Sequence, residues 1–232
     1  TTTIVDSFGN SLNERIARVL EIHGPHSVAE FLEEGDVRYA LRSCAYHFNR
    51  LIDVYVDTVR VVESVHPIGT ASRANTGGEK AYFEFDAFIG AARRVYEHFR
   101  RLVWKRFVGT ANAPSSFRHL VARAPKGSLP IALAASLDEN WRTTGQRIRE
   151  YRDCISHYVP LDPGGHTAWL EPRHGRWTMN VPLPANPAAR SRSAFDFDGG
   201  PDALSYSYDA LCGLVDLAEA IEKAIKAPRP SL

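Results

Sequence analysis

The stretch WRTTGQRIREYRDCISHY, Trp141–Tyr158, decides how this chain is read. Trp141, Thr144, Ile148, Tyr151, Ile155 and Tyr158 recur at spacings of three and four, which puts them on one face of a helix. Val159-Pro160 ends that helix, because the residue before a proline is pushed out of the α region. The pattern extends back to Ile131, and Ser136-Leu-Asp-Glu139 resembles a capping box, so a bend is expected there. The helix closes on Arg152-Asp153-Cys154-Ile155-Ser156-His157. A guanidinium grips a phosphate through two parallel N–H bonds, and an imidazole moves protons near neutral pH. The same residues also suit an ordinary polar face: Arg149, Asp153 and His157 fall at i, i+4 and i+8, the spacing of ion pairs along a helix. In that reading Arg152 lays its methylenes along the edge of the core.

Working outward, residues 11–34 read as two short helices broken at Gly24-Pro25, a packing arm. From Asp36, a plausible N-cap, one apolar stripe runs through Val37, Leu41, Cys44, Phe48, Leu51, Tyr55, Val59 and Val62 to His66-Pro67. Ile68–Lys80 is polar and glycine-rich and reads as a loop. A second long helix covers about 81–108, with Phe85, Phe88, Ala92, Val95, Phe99 and Leu102 along its core side. A short helix follows at 116–123, and then the long helix 131–157.

Beyond it the period changes. Thr167–Glu171 and Trp177–Val181 alternate around Pro172-Arg-His-Gly175, which predicts a β-hairpin with Trp169 on one face and Trp177, Met179 and Val181 on the other. A last helix, about 202–226, carries Leu204, Tyr208, Leu211, Leu214, Ala218, Ile221 and Ile225 on one side. The expected fold is all-α, an antiparallel four-helix bundle with short N-terminal helices and a β-hairpin inserted before the last helix. Residues 1–232 are expected to form one domain, with 1–35 as the helical arm and 160–200 as the hairpin and loop insertion.

Composition narrows the function classes. The 232 residues are 44% hydrophobic and 24% charged with a formal net charge of +1, so any nucleic-acid surface must be a local patch. Arginine far outnumbers lysine, which suits planar phosphate contacts but is also what GC-rich coding produces. Cys44, Cys154 and Cys212 form no CxxC pair, so neither a disulfide framework nor a structural zinc site is expected, and a reducing, cytoplasmic setting is. The start shows no secretory signal pattern, and no run approaches the length of a membrane span.

A bundle whose third helix ends in Arg-polar-x3-His resembles the HEPN superfamily. The family pattern is an arginine, four to six residues and a histidine, with Asn, Asp or His after the arginine; Arg152, Asp153 and His157 fill those places. The long second helix opening in Tyr82-Phe-Glu-Phe-Asp-Ala-Phe88 is similar too, and the resemblance covers about residues 37–226 without the hairpin. Arg18/His23, Arg42/His47 and Arg93/His98 share the bare spacing, and Arg60/His66 is one residue longer. Only Arg152 is followed by an acidic residue and stands at the end of a long helix.

The resemblance implies a metal-independent endoribonuclease of the toxin or phage-defence type, acting as a homodimer and needing no cofactor. His157 would be the general acid or base, Arg152 would hold the phosphate, and Asp153 would orient one of them. It equally allows a non-catalytic binding module acting through protein partners, such as an antitoxin-like nucleotidyltransferase. Some family members place an acidic residue of the second helix near the site, for which Glu84 and Asp86 are candidates. Positions five apart lie about 140° apart around a helix, so one helix is expected to keep Arg152 and His157 on different sides unless its last turn unwinds before Pro160, and a second chain could supply the missing half.

Other features have plainer readings. Asp196-Phe-Asp-Gly-Gly-Pro-Asp202 lacks the spacing of an EF-hand and reads as a capped loop. His166 and His174 read as surface histidines. Trp169, Trp177, Arg173 and Arg176 could stack on bases, but covering the open end of the bundle explains them better.

Overall fold

A computed structural model of the chain describes residues 12–19, 28–76, 78–109, 113–124, 127–157, 160–161 and 168–227. The protein is mostly helical, with a small antiparallel sheet. Residues 12–19 form α1, followed by α2 (Val28–Val65), α3 (Glu79–Val103), α4 (Phe117–Arg123), α5 (Ile131–Asn140), α6 (Gln146–His157) and α7 (Ala203–Lys226). The strands are β1 (Ala74–Asn75), β2 (Trp169–Arg173) and β3 (Arg176–Asn180), in the order β1-β2-β3. No described helix is long and apolar enough to cross a membrane.

Two boundaries differ from the sequence reading. The second short helix is the start of α2, and Asp36 lies inside it, not at its cap. Gly35 costs a helix interior about 1 kcal/mol, which the long buried stripe behind it outweighs. The break at Gly24-Pro25 lies outside the described residues. The irregularity expected at 136–139 falls instead at a π-helical turn, Trp141–Gly145. Ser136 bonds back to the Ala132 carbonyl at 3.0 Å as an ordinary helix residue. The wider turn lets the Trp141 ring lie against Gly145, where an added Cβ would stand 2.5 Å from it.

The chain groups into two compact units, each discontinuous in sequence. The first comprises Thr1–Arg42, Ala91–Gln146 and Ala210–Leu232. In it α1 buries Leu12, Ile16 and Val19, while Arg15 and Arg18 donate to Glu219 of α7. Asn140 accepts from the Tyr96 hydroxyl and donates to the Gly213 carbonyl, both at 2.7 Å. Tyr96, Phe117 and Trp141 pack as an aromatic trio.

The second unit comprises Ser43–Gly90 and Arg147–Asp209 and holds the sheet. Its core joins Leu51 and Tyr55 of α2, Phe85 and Phe88 of α3, and Ile148 and Tyr151 of α6. Phe85, Tyr151 and Tyr206 meet edge to face. The hairpin turns at His174-Gly175, both with positive φ, and its register pairs Leu170 with Met179 and Pro172 with Trp177. Leu170, Trp177, Met179 and Val181 are buried, the face expected from the alternation. The Trp177 indole donates to the His66 carbonyl at 2.8 Å, so this tryptophan fastens the hairpin to the segment after α2. Ala74–Asn75, read as loop, adds a third strand by pairing with Leu170 and Trp169.

Asp202 ties this unit together. Its Oδ1 accepts from the Leu204 and Ser205 amides at 3.0 and 3.2 Å, capping α7. Its Oδ2 accepts from the Tyr55 hydroxyl at 2.7 Å and the Val181 amide at 2.9 Å. Four donors occupy this carboxylate, in keeping with a capped loop at 196–202.

Candidate functional site

The α6 helix lies wholly in the second unit from Arg147 onward, and its faces follow from its sequence. Ile148, Tyr151 and Cys154 are buried. The Tyr151 hydroxyl donates to the Pro184 carbonyl at 2.9 Å, and burial pushes its pKa up to about 12. With that side fixed, Arg149 and Asp153 point away from the core, and Arg152 and His157 flank them.

The two flanking residues meet. Nη1 of Arg152 donates to Nε2 of His157 at 3.2 Å and to Oδ1 of Asp153 at 3.0 Å. This corrects the expectation that one helix keeps the pair apart. Backbone angle separates them, but the arginine side chain is long and Asp153 lies on the arc between them. The carboxylate draws the guanidinium across the solvent face until it reaches the imidazole. A guanidinium nitrogen has no lone pair, so Nε2 is the acceptor in this contact.

The Asp153 carboxylate is shared, with Arg149 Nε at 3.2 Å from its Oδ2. The side chains of Arg149, Arg152 and Asp153 are 42%, 40% and 30% exposed, so the cluster is open to a ligand the size of a phosphodiester.

The other candidates lie elsewhere. Glu84 is held by His47, Oε2 to Nδ1 at 2.9 Å. Asp86 has a buried Oδ1 with no hydrogen-bond partner among the described residues, and burial pushes its carboxyl up to about 6. Arg93 pairs with Glu97 at 2.7 Å and Arg60 with Asp57 at 3.6 Å, so these arginines are engaged by carboxylates one turn away. His23 and His166 lie outside the described residues, and His174 is exposed in the hairpin turn. Arg173 pairs with Glu171 at 2.6 Å, and the Arg73 guanidinium covers one face of Trp169 at 4.4 Å. The Arg149–Asp153 pair is the one that the i, i+4 spacing offers for a polar helix face.

Compared with protein-family models, with curated proteins and with solved structures, the chain has no significant match. The functional reading therefore rests on the residues themselves.

Proposed function

We propose that this protein is a HEPN-like helical bundle whose Arg152–Asp153–His157 cluster cleaves RNA without a metal. The observation that supports this is the 3.2 Å contact between Arg152 and His157 on an open helix face. A phosphodiester is a stronger acceptor than a neutral imidazole. When it binds the guanidinium, Arg152 turns its donors to the phosphate oxygens and releases Nε2 of His157, which becomes the base beside the substrate. The imidazole takes the proton of the ribose 2′-hydroxyl, the 2′-oxygen attacks phosphorus, and the bond to the 5′-oxygen breaks. The products are a 2′,3′-cyclic phosphate and a 5′-hydroxyl, the leaving oxygen taking its proton from an acid such as protonated His157 of the same site or water. Arg152 stabilises the charge that builds on the equatorial oxygens. Asp153 positions the arginine. Because the pair meets within one chain, the reaction as proposed needs no residue from a second copy.

A second reading has its own observation. Asp153 lies between Arg149 and Arg152, the ion-pair ladder of a solvated helix face. In that case the domain is a non-catalytic module that binds a protein partner. The two readings separate on structured RNA and tRNA in EDTA. The nuclease cleaves as wild type and fails as Arg152→Ala or His157→Ala, whereas the binding module gives the same trace for all three.

A further inference from the structure

The two tryptophans of the hairpin lie on opposite faces of the sheet. Trp177 is on the inner face, where it is buried and donates to the His66 carbonyl, so it accounts for the covering role by itself. Trp169 is on the outer face. Side chains alternate along a strand, and partners across an antiparallel ladder share a face. The register therefore sets Trp169, Glu171 and Arg173 of β2 beside Asn180, Thr178 and Arg176 of β3. All six are at least partly exposed, whereas Leu170, Trp177 and Met179 between them are buried. Asn75 of β1 pairs with Trp169, and Arg73, two residues earlier, lies on the same side with its guanidinium 4.4 Å from the ring centre.

This face joins an aromatic ring to positive charge. Residues 172–195 hold four arginines and no carboxylate, and residues 64–78 hold Arg73 and no carboxylate. Glu171 is the acid of the face, and Arg173 takes it through Nε and Nη2 at 2.6 and 2.5 Å. Three arginines against one carboxylate leave the face positive. An indole in a polar surround is a platform for nucleotide bases, and such stacking is stronger than an exposed cation–π contact. A base can therefore replace the Arg73 guanidinium on the ring, and the arginine turns its N–H fork to the adjoining phosphate. Asn75, Thr178 and Asn180 offer amide and hydroxyl groups to the base edge. From Trp169 to Arg173 the strand runs about 13 Å, so a nucleotide chain stacked at one end passes the arginines of the turn at the other. A duplex has its base faces already stacked, whereas a single strand splays them out. An acidic protein would use the charge and leave the indole idle.

We propose that the outer face of the sheet binds an unpaired base of single-stranded RNA on Trp169, with Arg73 on the neighbouring phosphate. The choice of RNA rests on the reading of Arg152 and His157 as a nuclease site; the stacking surface itself is built from other residues. Fluorescence anisotropy of a labelled single-stranded RNA about ten nucleotides long tests it, on the full chain carrying His157→Ala so that the RNA stays intact. Further changes are made in that background. Trp169→Ala should weaken binding about tenfold and Trp169→Phe less than about threefold, since a phenyl ring still stacks. Arg73→Gln should weaken it about threefold and flatten the slope of log affinity against log salt by about 0.7, the share of one phosphate. Duplex RNA of the same length should bind at least about tenfold more weakly than the single strand. If Trp169→Ala loses its native circular dichroism, the Arg73→Gln salt slope and the preference for single strands decide. The proposal is overturned if folded Trp169→Ala binds as tightly as its parent, if Arg73→Gln leaves the salt slope unchanged, if the duplex binds as well as the single strand, or if polyglutamate competes as well as RNA. A wild-type chain that binds single strands through Trp169 without cleaving them supports the surface and removes the nuclease.

Discussion

Arg152 and His157 touch through Nη1 and Nε2 at 3.2 Å although five helical positions separate them. The contact depends on Asp153, which holds the same Nη1 at 3.0 Å. The unit is therefore a triplet in which the acidic residue sets the position of the cation and the cation occupies the lone pair of the base. In the proposed reaction a substrate phosphate would compete with His157 for Arg152, so that binding and activation of the base would be one event.

Asp153→Asn removes the charge that draws the guanidinium across the helix while keeping the shape. Cleavage should fall by about tenfold, less than on loss of the proton-transfer group itself, which is worth about 10²–10⁴-fold. The fall should appear in kcat with KM nearly constant, because the phosphate can still bind Arg152. A variant as active as wild type would remove Asp153 from the mechanism.

Asp86 makes stability depend on pH. Its carboxyl is raised to about 6 in the folded protein by burial, against an unfolded value near 4. Between those values the folded state holds a proton that the unfolded state has lost. Stability therefore falls as pH rises through that window and stays reduced above it, by on the order of 3 kcal/mol. Asp86→Asn should raise the urea midpoint at pH 7 and leave it almost unchanged at pH 4. Equal effects at both values would contradict the assignment.

Asp202→Ala strips four donors of their acceptor at once, two at the start of α7 and two from Tyr55 and Val181. The expected loss is about 3 kcal/mol in chemical denaturation, combining a missing helix cap with buried donors left unpaired. Tyr55→Phe removes one of those bonds and should cost about 1 kcal/mol. A Tyr55→Phe loss as large as that of Asp202→Ala would mean that the cap contributes nothing.

Much of this architecture is legible from periodicity. The stripe Val37, Leu41, Cys44, Phe48, Leu51, Tyr55 and Val62 is buried as its spacing requires, and Val59 is half-buried. Phe85, Phe88, Ala92, Val95 and Phe99 are buried along α3, and Trp177, Met179 and Val181 along the inner side of the hairpin region. Ala74–Asn75 was not legible, because two residues carry no period and the strand exists through its pairing with β2. The continuity of α2 from Val28 onward was hidden by Gly35-Asp36, which looks like a boundary when only local preference is weighed.

The candidate site was legible in membership and misread in geometry. A helical wheel records where Cβ atoms point, which separates Arg152 from His157. It does not record that an arginine spans several ångströms beyond Cβ, or that the intervening Asp153 supplies the force to bend it back. The exposed Tyr46, Val61 and Val65 of α2 were also present in the sequence, interleaved with the core stripe. Only burial distinguishes the two.

The central claim is tested most directly by the ends of the RNA. Wild-type protein and the Arg152→Ala and His157→Ala variants are incubated in EDTA with 5′-labelled structured RNA, and the new termini are identified. The account predicts fragments ending in 2′,3′-cyclic phosphate from wild type, reduced at least about 100-fold in each variant. Intact RNA with wild type, or the same fragments from all three proteins, would contradict it.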